Sequence, residues 1–284
     1  MSNLFLFSVD LEDVRSGVPD GFRYAERVPA MTEHYLQFLD RHKARCTFFV
    51  VGDVARRYPE LISTIAAAGH EVACHTTHHV PLDKQSRESF KKDLSENVEL
   101  INRAGASVCG FRAPVFSLTE KTSWAHEVLA EMGFLYSSSV LPAKNPLYGW
   151  PGFGTGFQKM TGDLWELPIT LFPWKALPYP CAGGVYFRTL PQWLTRMAFQ
   201  QHWKNQTPVL SYFHPYDIDT GQERFMHPGI QESRLYNALM YYNRSGLLDK
   251  VTKLLKDGAT ILPYKNYVKE YLVAGNGPKQ VLKT

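Results

Sequence analysis

Three carboxylates follow a single short apolar run in Ser8-Val9-Asp10-Leu11-Glu12-Asp13. Carboxylates packed this closely repel one another, so a metal ion or another cation is needed to keep them comfortable together. Along an extended chain, alternation sends Asp10 and Glu12 to one side and Asp13 to the other. A second group is Gly69-His70-Glu71-Val72-Ala73-Cys74-His75-Thr76-Thr77-His78-His79, which holds four of the ten histidines. His75 and His79 are four apart, so one helical turn at a strand end would bring both imidazoles to one side, a spacing that suits a divalent ion. Imidazole is the commonest transition-metal ligand, and Glu12 can supply the carboxylate of a two-histidine, one-carboxylate site. A lone histidine is more often a hydrogen-bonded core or surface residue. His34, His42, His126, His202 and His227 are read that way, with His70 and His78 as structural or supporting groups.

Two further groups also end apolar runs: Gly110-Phe111-Arg112-Ala113-Pro114 and Ser211-Tyr212-Phe213-His214-Pro215. A guanidinium at Arg112 held near Asp10 would orient that carboxylate through charge-assisted hydrogen bonds. His214 can face the same mouth and carry a proton near neutral pH.

These residues need elements that deliver them to one place. Leu4 to Val9 and Cys46 to Gly52 are short apolar runs of the kind buried on both faces of a parallel sheet, and Met31, Tyr35, Phe38 and Leu39 recur between them at helical spacing. The alternation continues with a helix from about Asp53 to Ala68, a strand at Glu71 to Cys74 and a helix carrying Phe90, Leu94, Val98 and Ile101. After them come a strand at Ser107 to Phe111, a helix at Thr119 to Met132 and a strand at Phe134 to Ser138. Val209 to Phe213 predicts a strand, Leu235 to Leu255 one long helix, and Thr260 to Leu262 a last strand. This βαβα order predicts an α/β domain with a parallel sheet, doubly wound or closed into a barrel, whose functional residues sit at the carboxyl ends of the strands. Between Pro142 and Pro180 lie seven of the eighteen prolines with Trp150, Trp165 and Trp174, which predicts a long loop insertion at one end of the domain.

Composition narrows the function classes. The 284 residues are 44% apolar and 13% aromatic, enough for a large folded core and too rich in core-formers for a disordered chain. A net charge of +4 with scattered Lys and Arg gives no basic stripe for nucleic acid. No apolar stretch approaches the roughly 18 residues that cross a bilayer, and the first ten residues lack the pattern of a secretory signal. The four cysteines, Cys46, Cys74, Cys109 and Cys181, are far apart and suit buried free thiols, so a cytoplasmic protein is expected.

Taken in order over most of the chain, from Phe5 to about Ile261, Asp10-Leu-Glu-Asp13, His75-Thr-Thr-His-His79, Arg112-Ala-Pro114 and Tyr212-Phe-His-Pro215 resemble the polysaccharide deacetylase family. It is also called the NodB-homology or carbohydrate esterase 4 family. The resemblance implies a distorted (β/α)7-type barrel as a single domain over 1–273, with the insertion at about 141–182 and a flexible tail over 274–284. It implies one divalent metal ion, zinc foremost with cobalt, nickel, iron or manganese as alternatives, held by Glu12, His75 and His79. Asp10 is then the base, His214 the acid and Arg112 the partner of Asp10, with a backbone N–H near Arg112 to Pro114 for the oxyanion. Phe111, Pro114 and Trp174 are expected at the substrate, and Trp150 and Trp165 are further candidates for stacking on sugar faces. The implied reaction removes an N-acetyl or N-formyl group from an amino sugar.

Glu166-Leu-Pro168 and Gly183-Gly-Val-Tyr-Phe-Arg188 are similar to a cytoplasmic subgroup linked to bacterial surface-polysaccharide (O-antigen, exopolysaccharide) biosynthesis, whose substrate would be nucleotide- or lipid-linked or an oligosaccharide. The chain departs from the family pattern in two places. Two acids separated by Leu11 stand where most members have adjacent aspartates, which leaves Asp13 as a rival ligand. Tyr136 to Ser139 stands where relatives often have an aspartate that supports the arginine. Rival readings are an allantoinase-like or cyclic-imide amidohydrolase of the same fold, and a sugar-binding relative without turnover.

Overall fold

The computed structural model describes residues 3–145, 147–174 and 176–275. The first strand is split by a kink at Phe7, whose N–H turns back to the Phe5 carbonyl at 3.0 Å, giving β1 (Asn3–Leu6) and β2 (Ser8–Leu11). Next to β2 come β3 (Thr47–Val50), β4 (Glu71–Cys74), β5 (Gly110–Phe111) and β6 (Tyr136–Ser137), each parallel to its neighbour. A hairpin follows, β7 (Gln158–Lys159) and β8 (Trp165–Glu166), of which β8 joins β6 in parallel. β9 (Val209–Leu210) and β10 (Ala259–Ile261) flank β1 in parallel. The round is closed beyond β8 by main-chain bonds from Cys181 N–H to Thr170 and from Tyr212 N–H to Ala182, and then by Phe213 N–H to Ser8 and Asp10 N–H to Phe213. The result is a distorted (β/α)7-type barrel whose staves are β1/β2, β3, β4, β5, β6, β8 and β9.

The helices cover the outside: α1 (Val28–Arg41), α2 (Gly52–Arg57), α3 (Pro59–Ala67), α4 (Arg87–Arg103), α5 (Ala125–Glu131), α6 (Gly184–Thr189), α7 (Gln192–Lys204), α8 (Arg234–Tyr241), α9 (Leu247–Lys256) and α10 (Tyr264–Tyr267). Strand alternation sorts the core into two layers. Phe48 and Val72 point outward to a cluster with Ile62 and Ile65 of α3, while Phe49 and Ala73 point inward to Tyr136, Leu210 and Tyr264. Each fully buried Phe contributes about 1.5–3 kcal/mol, which is what holds short, two-to-four-residue staves in register.

Four expectations are corrected. The Asp53–Ala68 helix is two helices, because Pro59 at the first position of α3 cannot continue α2. The Leu235–Leu255 helix breaks between α8 and α9, where Asn243 takes a left-handed φ of 51°. The Thr119–Met132 helix opens as a 3₁₀ turn at Glu120–Thr122, and α5 begins only at Ala125. The 141–182 segment is not an insertion throughout: β8 lies within it as a barrel stave, and Trp165 is buried in the inner cluster. Residues 276–284 of the expected tail lie outside the described residues. The cysteines are free thiols, three of them buried. No helix among the described residues is long and apolar enough to cross a membrane.

His227 is buried, as expected of a structural histidine, and its Nε2 accepts from Arg244 Nη2 at 3.2 Å. Burial first, and the Arg244 charge second, push its pKa down to about 3. Between that value and the unfolded value of about 6.5 the unfolded chain takes up a proton that the folded chain refuses, so stability falls as pH drops through this window. His227 alone should cost about 2 kcal/mol at pH 5 relative to pH 7. His70, held at about 4 by burial and Arg45, acts in the same direction. Urea midpoints recorded from pH 7 to pH 5 should fall less steeply in His227→Gln, whose amide oxygen keeps the Arg244 bond; equal slopes would refute the assignment.

Candidate metal centre and its flanking acid and base

Glu12, His75 and His79 each offer one ligand atom, and these atoms lie within 4.8 Å of one another at the carboxyl ends of β2 and β4. Glu12 Oε2 and His79 Nε2 are 2.8 Å apart, and the two imidazoles meet edge-on with ring centres 4.9 Å apart. Burial alone would raise the Glu12 pKa, but His79, with His214 and His75 behind it, holds it well below the usual carboxylate range. His79 is correspondingly raised, against its own burial, chiefly by Glu12. His75 Nδ1 lies 2.8 Å from the Arg112 carbonyl, which can only accept, so Nδ1 carries the proton and Nε2 presents a lone pair. Burial lowers the His75 pKa to about 4, which favours that neutral ligand form. A carboxylate, a neutral imidazole with a fixed tautomer and a second imidazole fit a divalent transition metal by donor type and by convergence.

The two histidines are not brought together by a helical turn. Residues 75–79 form an irregular loop in which Thr76 and His79 take left-handed φ values of 62° and 55°, each costing roughly 1–3 kcal/mol unless surroundings hold it. The loop is stapled by α4. Asp93 accepts from Thr77 N–H at 2.5 Å and from Thr77 Oγ1 through its carbonyl at 2.7 Å, and Asn97 Nδ2 donates to Thr76 and Val50 carbonyls at 2.5 and 3.0 Å. Both are buried polar residues interrupting the apolar face of α4, a sequence signal that marks them as supports for something.

Asp10 and Ser8 share the inward face of β2 and both meet Arg112, which is fully buried. Arg112 Nη1 donates to Asp10 Oδ1 at 2.5 Å and to Ser8 Oγ at 2.8 Å, Nε to the Ser138 carbonyl at 3.0 Å, and Nη2 to Ser138 Oγ and Tyr264 Oη at 3.2 and 3.0 Å. Its face rests 4.0 Å from the Phe49 ring centre. Ser138 thus supports the arginine from the Tyr136–Ser139 run. Glu166 holds that run in place by accepting from Ser139 and Val140 N–H at 2.7 and 2.9 Å.

His214 sits beyond β9. Its Nε2 is 3.8 Å from Glu12 Oε1, while its Nδ1 and backbone N–H both reach Asp217 Oδ2 at 2.9 Å. Tyr216 stacks flat on the imidazole, 4.6 Å between centres at 9°. Burial opposes a charge here, but the Asp217 hydrogen bond and charge overcome it and raise His214 to about 9. Beside Glu12 a narrow cleft is lined by Val14, Tyr24, Tyr216 and Phe225.

Other expected site residues lie elsewhere. Asp13 is not free to ligate: Arg15 and Arg57 occupy its carboxylate at 2.7 to 3.2 Å, and it caps the Val14–Gly17 turn. Phe111 points outward and packs on Phe90 and Phe134, ring centres 5.5 and 6.1 Å away, because alternation on β5 turns Arg112 inward. Pro114 is buried at the start of a 3₁₀ turn. Trp174 stacks on Phe172 at 5.8 Å and Trp150 packs on Phe153 at 4.9 Å, each against a different cluster of the domain core. The backbone N–H groups expected for the oxyanion, from Arg112 to Pro114, are not free to donate. Arg112 N–H is bonded to Cys74 and Ala113 N–H to Ser139 Oγ, and proline has no N–H, which leaves that of Val115, held at a left-handed φ of 47°. Asp217, Ser138, Tyr264, Asp93 and Asn97 were not singled out from sequence spacing; only the buried polar pair on α4 carries a readable signal.

Two family models match the chain: "Polysaccharide deacetylase" over residues 20–136, and "Domain of unknown function (DUF3473)" over residues 138–261. Among curated relatives, a chitooligosaccharide deacetylase of Sinorhizobium fredii is 39% identical over 88 residues, covering 30% of this chain and 41% of the relative. A peptidoglycan-N-acetylglucosamine deacetylase of Bacillus cereus is 29% identical over 98 residues, covering 34% and 36%. The chain therefore spans well under half the length of these relatives. A crystal structure from Mycobacterium smegmatis, assigned as a polysaccharide deacetylase, superposes with a TM-score of 0.63 at 20% identity over 100% of this chain and 94% of that one, which shows the fold. Over residues 20–136 the chain is therefore similar to the polysaccharide deacetylase family.

Proposed function

We propose that this chain is a metal-dependent carbohydrate N-deacetylase, acting on an N-acetylated or N-formylated amino sugar. The observation that carries the reading is the convergence of Glu12, His75 and His79 to within 4.8 Å, with Asp10 and His214 on neighbouring strands. Glu12, His75 and His79 would hold a divalent cation, which would supply Lewis-acid charge to the scissile carbonyl and acidify water at the site.

The rest of the chemistry belongs to the chain. Arg112 occupies Asp10 Oδ1, so Oδ2 is the oxygen that takes a proton from the attacking water as its oxygen bonds to the carbonyl carbon. In this reading the Val115 N–H is the donor to the oxygen that becomes negative. His214, with Nδ1 tied to Asp217, gives its Nε2 proton to the sugar nitrogen as the C–N bond breaks, so that carboxylate and free amine separate. An amine is too poor a leaving group to depart without that proton.

The relatives named as chitooligosaccharide and peptidoglycan deacetylases support an N-acetylated sugar as substrate. The Glu166 and Gly183–Arg188 segments support a precursor of a bacterial surface polysaccharide. Purified protein should take up about one equivalent of zinc or cobalt, and His75→Ala and Glu12→Gln should each weaken uptake about 10- to 100-fold by calorimetric titration. Release of acetate or formate from a panel of N-acylated sugars and sugar nucleotides tests the reaction. Unchanged metal uptake in both variants would remove the metal site, and no release from any member would remove the activity.

A further inference from the structure

The Gly183-Gly-Val-Tyr-Phe-Arg188 run touches neither the metal ligands nor Asp10, yet it is built against His214's partner. We propose that Arg188, acting through Asp217, is a positioning residue that holds the His214 imidazole at the angle from which it protonates the leaving amine. The proposal rests on the deacetylase reading above.

Arg188 and Asp217 are both fully buried. Arg188 Nε donates to Asp217 Oδ1 at 3.0 Å, which leaves Oδ2 to His214. The other guanidinium nitrogens donate to carbonyls at the C-terminal end of α8, to Leu239 and Met240 at 3.3 and 3.2 Å and to Tyr242. All three guanidinium nitrogens are therefore engaged, and the carboxylate between Arg188 and His214 is held through both of its oxygens. α6 is pinned as well: Lys250 Nζ donates to the Phe187 carbonyl at 2.8 Å and Asn243 Nδ2 to that of Arg188 at 2.9 Å.

The glycines explain how α6 comes so close. A Cβ on Gly184 would lie 2.2 Å from Asp217 Oδ2, and one on Gly183 would lie 2.3 Å from the Tyr212 ring. Only residues without side chains let the start of α6 press against this carboxylate. A buried ion pair is weak as a stabilising device, since a hydrophobic pair of the same volume often does as well. What Arg188 supplies that an apolar side chain would not is a fixed direction for the carboxylate, and through it for the imidazole.

The test uses zinc-reconstituted protein and two probes. N,N′-diacetylchitobiose needs a protonated leaving group, whereas 4-nitrophenyl acetate releases a phenolate that needs none. In Arg188→Met, kcat on the amide should fall about 10- to 100-fold while kcat on the ester changes by no more than about threefold. Arg188→Lys should recover part of the amide rate. Gly184→Ala, which pushes on the same carboxylate, should shift the amide-to-ester ratio in the same direction and carries the test should Arg188→Met not fold. As a readout independent of turnover, ¹⁵N-histidine NMR of metal-free protein should show a proton on His214 Nδ1 protected from exchange, with the protection lost in both variants.

Equal loss on amide and ester would make Arg188 a scaffold residue and overturn the proposal, as would persistence of the protected proton. A wild-type protein that turned over neither probe would instead count against the deacetylase reading, while the proton would still decide whether Arg188 orients His214.

Discussion

Asp10→Asn should lose about 10²- to 10⁴-fold in kcat on an N-acetylated sugar while folding and metal uptake persist. The amide that replaces the carboxylate keeps an oxygen for the Arg112 bond, so the packing around the 2.5 Å contact survives. It cannot accept a proton from water at neutral pH, and the step that makes the nucleophile is lost. Because the change acts on the transition state, the loss should appear in kcat and kcat/KM together, with KM little altered. Steady-state kinetics beside a zinc titration and a thermal melt separate this outcome from unfolding. A variant that kept about a third or more of wild-type kcat, with zinc bound, would show that another group is the base.

Arg112→Leu should destabilise the fold by about 3–5 kcal/mol, the largest stability effect of any single change at the site. Arg112 is 0% exposed, and its removal strands the Asp10 carboxylate together with the Ser8, Ser138 and Tyr264 oxygens that its nitrogens satisfy. The penalty belongs chiefly to the unpaired charge left behind. Adding Asp10→Asn to Arg112→Leu should therefore give a protein less destabilised than the sum of the single changes by about 1–3 kcal/mol. Urea unfolding of the two single variants and the double variant measures the coupling. Simple additivity would mean that the pair contributes through packing, and that Asp10 is not held by its partner.

How far the site could be read from the chain differs residue by residue. Asp10 and Glu12 sharing a face, with Asp13 opposed, follows from the two-residue repeat of an extended strand, and the structure turns Asp13 to Arg15 and Arg57. The histidine pair was legible by spacing, but the turn that joins them was not. Its left-handed residues are held by Asp93 and Asn97 from α4, and no local rule announces a contact of that range. Phe111 and Trp174 were expected at the substrate on residue type and neighbourhood; Phe111 is consumed by packing against α4, and Trp174 lies half-buried against Phe172.

The order of the elements and the short apolar runs that become staves were carried by local periodicity, as were the polar residues standing where those runs end. Neighbouring residues impose such features on one another along the chain. Which residues complete the site was a matter for closure of the barrel. Folding brings Ser138 and Tyr264 around Arg112, lays Asp217 between His214 and Arg188, and places β8 inside a proline-rich stretch that reads as loop. These partners come from stretches up to 152 positions apart, as between Arg112 and Tyr264. A buried charge or an unpaired N–H accepts whichever complementary group the fold delivers, so the need can be seen in one segment while the group that meets it cannot.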